Sequence, residues 1–387
     1  MRIFVLGAGA AGSLLAQLLT RQGHQVWCGD RHPERARRFL GAGIPVEGVN
    51  ARNLRGIVRA ARGCHLLVNA APAVFNHNIL RAALRLRVHY LDMATHLGRY
   101  PFKAEQLRFH ERFEAKRRTA IINAGVAPGL TNLLVARAVE KLERVEQVRI
   151  RLFEDTASDD PISMWSAETA FDEATSQPRL YRQGRFRLGR RFGEAEWFWF
   201  PPPVGRTRVV LAAQDEVATL PHFIPMREMD VKIGGNEIAR LRRWYRRGRL
   251  RPSARATAAR FPQTLTPRAL ARLIRRGELR NARFAAAVIV TGSKGDAGWR
   301  LEWYCTVPTL YQLRRRGLAT TPIAYATAHL AALFVKHFPR TAGGVFPPEA
   351  LPVQVRRAIL AELPGRGLHL TERRRRLPRP EEEEEEF

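Results

Sequence analysis

The residues best placed to do chemistry stand within the first thirty. Gly7, Gly9 and Gly12 have the spacing G-x-G-x-x-G, and Asp30 follows Gly12 by eighteen positions. Each residue type answers a need of holding a dinucleotide. A Cβ at position 7 would obstruct the turn, Gly9 lets backbone approach a pyrophosphate, and Gly12 lets a helix pack close to a strand. A helix opening through Ala8, Ala10 and Ala11 offers free N–H groups and a partial positive charge to phosphate. Asp30 can accept from a ribose hydroxyl, which favours NAD. Arg31 beside it can hold a 2′-phosphate, which favours NADP. The expected cofactor is NAD(P), with the choice between the two open.

Ligands of open parallel sheets sit beyond the carboxyl ends of the strands. Further candidates are therefore Asn69, Ala70, Ala71 and Pro72, the stretch Asp92–Thr95 with Ala94, and the turn-rich stretch 123–131 with Ala127. Asp92 is the first catalytic candidate, since a carboxylate there can stabilise a cation or take its proton. It can equally cap the next segment. Glu168 is the second, on a polar stretch with Trp165 and Ser166. A capping or surface role competes for it. Trp165 either stacks on a substrate or plugs a seam, and His96 is at most a proton shuttle.

The surrounding pattern supplies elements to carry these residues. Apolar strands at 2–6, 25–30, 44–49, 65–69, 88–91 and 119–123 alternate with helical stretches at 10–19, 33–42, 53–62, 75–86 and 101–116. Asn53 reads as a helix N-cap. Alternation of this kind predicts a doubly wound parallel sheet of Rossmann type, an α/β fold with right-handed crossovers. From about residue 129 the pattern becomes mixed α+β. Strands are expected at 145–153, 208–213, 230–233, 284–291 and 299–306, the last two joined as a hairpin by 292–298. Thr266-Pro267 reads as a capped helix start. Arginines interleave with Leu241, Trp244 and Tyr245 over 240–251, an amphipathic helix in preference to an RNA-binding patch. Apolar helices follow at 322–338 and 353–363. The tail, 371–387, carries runs of arginine and then glutamate and is expected to be disordered.

Composition bounds the rest. At 387 residues two domains are expected. The three cysteines, Cys28, Cys64 and Cys305, are far apart, which argues for a reducing, cytoplasmic setting and against a disulfide framework. No metal-binding spacing occurs, so no metal is expected. No apolar run has the length of a membrane span. A signal peptide at the N-terminus is disfavoured by the three glycines and the strand that follows. The net charge is +29, yet only six of the 65 basic residues are lysine. Arginine chosen throughout the chain suggests a compositional habit, and no nucleic-acid-binding motif accompanies it.

Several motifs in order carry a resemblance: Leu67-Val-Asn-Ala-Ala-Pro72, His89-Tyr-Leu-Asp92, Gly125-Val-Ala-Pro-Gly-Leu-Thr-Asn132, Trp165-Ser-Ala-Glu168, Asp215-Glu-Val-Ala-Thr-Leu-Pro221, Val231-Lys-Ile-Gly-Gly235 and Gly344-Val-Phe-Pro-Pro-Glu349. The chain resembles the saccharopine dehydrogenase (saccharopine reductase-like) family, which includes carboxynorspermidine dehydrogenases, and within it a short bacterial branch. The resemblance implies a nucleotide domain of residues 1–128 completed by about 320–370, and an inserted α+β substrate and dimerisation domain over 129–319. It implies a homodimer and reversible hydride transfer at the C–N bond of a small amino compound, an imine or secondary amine. Saccharopine-forming members carry Asp where this chain has Ala127 and Arg where it has Gln214, so saccharopine itself is disfavoured. A non-catalytic nucleotide sensor on the same fold is the alternative reading.

Overall fold

The computed structural model describes residues 1–96, 101–160, 162, 173–249, 264–339 and 343–378. Seven strands form a parallel sheet: β1 (Arg2–Leu6), β2 (Gln25–Asp30), β3 (Val46–Gly48), β4 (Leu66–Asn69), β5 (His89–Asp92), β6 (Thr119–Ile121) and β15 (Gly344–Phe346). Their order, β15-β6-β5-β4-β1-β2-β3, reverses direction at β1. That reversal is the topological switch point where open sheets bind ligands. Register brings the strand ends level there, Leu6 beside Gly29 and Asn69, and Asn69 beside Asp92.

Helices α1 (Ala10–Arg21), α2 (Pro33–Leu40), α3 (Leu54–Ala60) and α4 (Asn76–Leu86) make the crossovers. Asn53 caps α3, accepting from the Gly56 N–H at 3.0 Å. The stretch 101–116 is not one helix. It is a 3-10 turn, Glu105–Phe109, followed by the short α5 (His110–Glu114). Tertiary bonding decides this: the Ala104 N–H donates to the Ala218 carbonyl at 3.1 Å, and buried Gln106 is drawn toward the end of β5.

After α6 (Leu130–Val139) the second sheet begins. Its nine strands are β7 (Arg144–Ser158), β8 (Arg179–Arg182), β9 (Arg185–Leu188), β10 (Glu196–Phe200), β11 (Gly205–Leu211), β12 (Glu228–Gly234), β13 (Leu279–Lys294), β14 (Ala297–Thr306) and β16 (His369–Arg376). The main path runs β10-β11-β12-β7-β13-β14-β16, and β12 with β7 is the parallel pair on it. The β13–β14 hairpin is tighter than the sequence suggests, with Lys294 paired to Ala297.

Residues 371–376 are strand, not disordered tail. They pair with β14 from Thr371 against Tyr304 to Arg376 against Trp299. The run of arginines hides the signal, because an edge strand exposed on both sides needs no apolar alternation. Residues 379–387 lie outside the described part.

One core serves both sheets. Leu15 and Leu19 of α1, Leu133 and Leu134 of α6, Leu330 and Phe334 of helix Pro322–Lys336, and Val148 and Ile150 of β7 belong to a single buried cluster. Truncating one of these leucines to alanine costs roughly 2–5 kcal/mol. Helix Asn236–Arg246 is amphipathic as its pattern predicts, with Leu241 buried and Trp244 and Tyr245 packed beside it. No described helix is long and apolar enough to cross a membrane.

Candidate active site

The glycine turn joins β1 to α1 at the switch point. Gly7 has φ +100°, and a Cβ there would meet the Ala70 carbonyl and Ala71 nitrogen at 2.5 Å. A Cβ on Gly12 would come far inside contact distance of the Gly7 carbonyl oxygen. Gly9 differs, for nothing lies within 4 Å of where its Cβ would be. The first two glycines serve the protein's own packing, while Gly9 keeps open a space in front of the α1 N-terminus. That is the cradle a pyrophosphate requires.

Asp30 ends β2 beside this turn. One carboxylate oxygen accepts the Ala8 N–H at 2.8 Å and the other accepts the His32 N–H at 2.8 Å. Asp30 thus splints the glycine turn to the next loop. Ala8 is buried beneath the turn, and its contribution is this N–H.

A cleft of about 1080 Å³ runs from the turn to the second sheet. Gly7, Gly9, Ala10, Ala11, Gly12, Asp30, Arg31, Asn69, Ala70, Ala71, Pro72, Asp92, Ala94 and Ala127 all line it. Sequence reasoning missed two groups of lining residues. Arg35 and Arg52 join Arg31 at one end, and Glu154 and Glu173 stand on the second sheet's side beside Gln214 and Asp215, both of which the sequence motifs mark. Their signal was weak, since no motif marks an arginine inside α2 or a lone Glu within β7. Trp165, Ser166 and Glu168 lie outside the described residues.

Asp92 is only 1% exposed. It accepts from the Asn123 N–H at 2.8 Å, the Tyr90 hydroxyl at 2.9 Å and the Gln106 amide at 3.2 Å. Burial pushes its carboxyl up to about 7 against the pull of these donors. Tyr90 also receives the Asn69 amide at 3.1 Å, and Asn69 in turn bonds Asn76 at 2.7 Å. A buried polar chain therefore runs beneath the strand ends, and Asp92 is its anchor. It sets the backbone of Asn123, which leads into the loop carrying Ala127.

Behind that loop lies a second buried group. Thr131 donates to Glu216 at 2.8 Å, and Asn132 donates to Thr219 at 3.2 Å and to Glu349 at 3.0 Å. Burial raises the carboxyls of Glu216 and Glu349 to about 7 each.

Comparison with known proteins agrees with this architecture. The fold and switch-point cleft are those of an NAD(P)-binding oxidoreductase. Residues 3–121 match the family described as saccharopine dehydrogenase NADP binding domain. Carboxynorspermidine synthases from Vibrio alginolyticus and Vibrio cholerae are each 24% identical to this chain, over 211 and 206 residues. The matches take in 49% and 48% of this chain. They span about half of those relatives, 49% and 47%. The apo saccharopine dehydrogenase (L-Glu forming) of Saccharomyces cerevisiae superposes with a TM-score of 0.71 at 13% identity, over 97% of this chain and 99% of that one. The likeness to the saccharopine dehydrogenase family thus rests on the nucleotide domain in sequence, over residues 3–121, and on the fold over the rest of the chain.

Proposed function

We propose that the protein is an NADP-preferring oxidoreductase acting at a C–N bond of a small amino compound. The observation that carries this is the continuous cleft, with a dinucleotide cradle at one end and a wall from the second sheet at the other. A sensor needs only the cradle. An open chamber beyond it favours an enzyme.

Charge divides the cleft. Arg31 and Arg35 stand near the adenosine side, past β2, and Arg52 joins them. Three guanidinium groups suit a 2′-phosphate, while Asp30 is already committed to two backbone donors. The other wall carries Glu154, Glu173, Gln214 and Asp215 beside Leu152, Ile233 and Phe284. Carboxylates there suit an amine or an iminium, and the apolar residues exclude water. Gln214 donates to Glu173 at 3.0 Å, which orients that carboxylate.

A bound nicotinamide would supply or accept the hydride. The protein's own task is positioning. The glycine turn and α1 fix the phosphates, the Asn69–Pro72 loop and Ala94 flank the cradle, and Ala127 borders the chamber. Asp92 holds this frame through Asn123 instead of touching substrate. Glu168 is proposed as a catalytic residue, and Trp165 and Ser166 as substrate-binding residues, on the strength of their sequence motif alone. The names of the curated relatives support an amine substrate, and Gln214 supports one other than saccharopine.

The test is oxidation of NADPH by the full chain against a panel of paired amines and carbonyl compounds. Transfer of deuterium from labelled NADPH to the new C–N carbon is expected for at least one pair. Tight NADPH binding with no turnover across the panel would return the reading to a sensor.

A further inference from the structure

The hairpin of β10 and β11 presents a surface that the cleft does not use. In register, Trp197 faces Arg208 and Trp199 faces Arg206. These four alternate residues point outward, while Phe198, Phe200 and Val209 point into the core. Trp197 is 59% exposed and Trp199 68% exposed. The guanidinium of Arg206 lies 4.5 Å from the centre of the Trp197 ring. The ribbon is held firmly from beneath, for Glu196 pairs with Arg149 at 2.9 Å, Arg151 at 2.6 Å and Lys232 at 3.0 Å.

More positive charge gathers beside it. Arg242 of helix Asn236–Arg246 has its guanidinium lowered by burial and by the neighbouring Arg246 and Arg208. Two exposed indoles thus sit in a field of arginines. No aliphatic side chain stands among the four outward positions, so the face lacks the apolar wedge that would enter a bilayer. A second copy would set this patch against itself, arginine to arginine.

We infer that the Trp197–Trp199–Arg206–Arg208 face binds single-stranded nucleic acid, its bases stacked on the indoles and its phosphates on the guanidinium groups. Two residues along a strand advance about 6.6 Å, which lets neighbouring rings take successive unstacked bases. Stacking on aromatics tolerates any sequence, and arginine neutralises the backbone. The four residues share a sheet face with Ile233 and Leu152 but lie outside the lining of the cleft, so this binding is independent of the proposed oxidoreductase activity.

The experiment titrates the full chain with a fluorescent oligo(dT) of about 12 nucleotides, a usual site size for such surfaces, and with a duplex of equal length, over a salt series. Single strands should bind more tightly than duplex and quench tryptophan emission. The W197A/W199A pair should lose about tenfold or more in affinity, and W197F/W199F should retain most of it. R206A/R208A should lower the salt slope by about 1.4. NADPH binding should be unchanged in all three. Equal binding of duplex that ignores the tryptophans would overturn the inference as mere net charge. So would tryptophan-dependent binding to phosphatidylserine vesicles without oligonucleotide affinity, or a dimer that W197A/W199A dissociates and oligonucleotide does not engage.

Discussion

The Thr95 N–H donates to the Asp215 carboxylate at 2.9 Å, across 120 positions of sequence. Thr95 follows β5 in the parallel sheet, and Asp215 follows β11 in the second. The bond fixes the distance between the two walls of the cleft. Asp215→Ala is expected to lower kcat/KM by about tenfold or more, because small displacements at a reacting centre are costly. Cofactor affinity should change little. Asp215→Asn keeps an acceptor oxygen and should lose less. Steady-state kinetics beside NADPH titration checks both.

The glycines of the turn separate stability from binding. Gly9→Ala meets no protein atom within 4 Å, so its unfolding midpoint should stay near wild type. Its methyl group enters the cradle, and NADPH affinity should fall by at least about tenfold. Gly12→Ala forces α1 away from the turn and should cost roughly 1–3 kcal/mol in stability. Denaturant melts and cofactor titration of the two variants distinguish the cases.

Arg31→Ala is expected to weaken NADPH by about tenfold while leaving NADH nearly unchanged, as befits loss of a charge-assisted phosphate contact. Asp30→Ala should weaken both cofactors alike, because the Ala8 and His32 N–H groups lose their acceptor. An Arg31 variant that leaves NADPH affinity intact would remove the argument for NADP.

Glu216 and Glu349 predict a pH dependence of stability. Their folded carboxyls titrate at about 7, above the ordinary 4.5. Between those values the folded state binds more protons than the unfolded chain, so stability falls as pH rises through the window. Asp92, also raised to about 7, acts in the same sense. Glu216→Gln with Glu349→Gln should flatten most of this slope and raise the melting temperature at pH values above the window. A melt series from acid to mildly alkaline pH measures it.

The parts legible in sequence were those set by local chemistry. The glycine turn, the strands ending at Asn69 and Asp92, the Asn53 cap and the Thr266 cap depend on residues near one another, and the structure places them as their spacing suggests. Asp92 shows the limit. Its position at a strand end was readable, but Tyr90, Gln106 and Asn123 saturate it through contacts no local pattern reveals. The stretch 101–116 looked helical until Gln106 and Ala104 found partners elsewhere. The arginines of β16 concealed a strand, since charge on an edge carries no periodic signal. The Glu154 and Gln214 wall of the cleft arises only when the second sheet folds over the first.

Both sheets take their outermost members from the last part of the described chain. β15 borders the parallel sheet and β16 borders the mixed one. During synthesis, then, neither layer can be finished until residues 344–376 have left the ribosome. The nascent protein carries an open edge at β6 from residue 121 onward and a second at β14 from residue 306, each a template awaiting its last strand. A ribosome-stalled chain ending before residue 343 should bind chaperones or aggregate far more readily than one that includes β16.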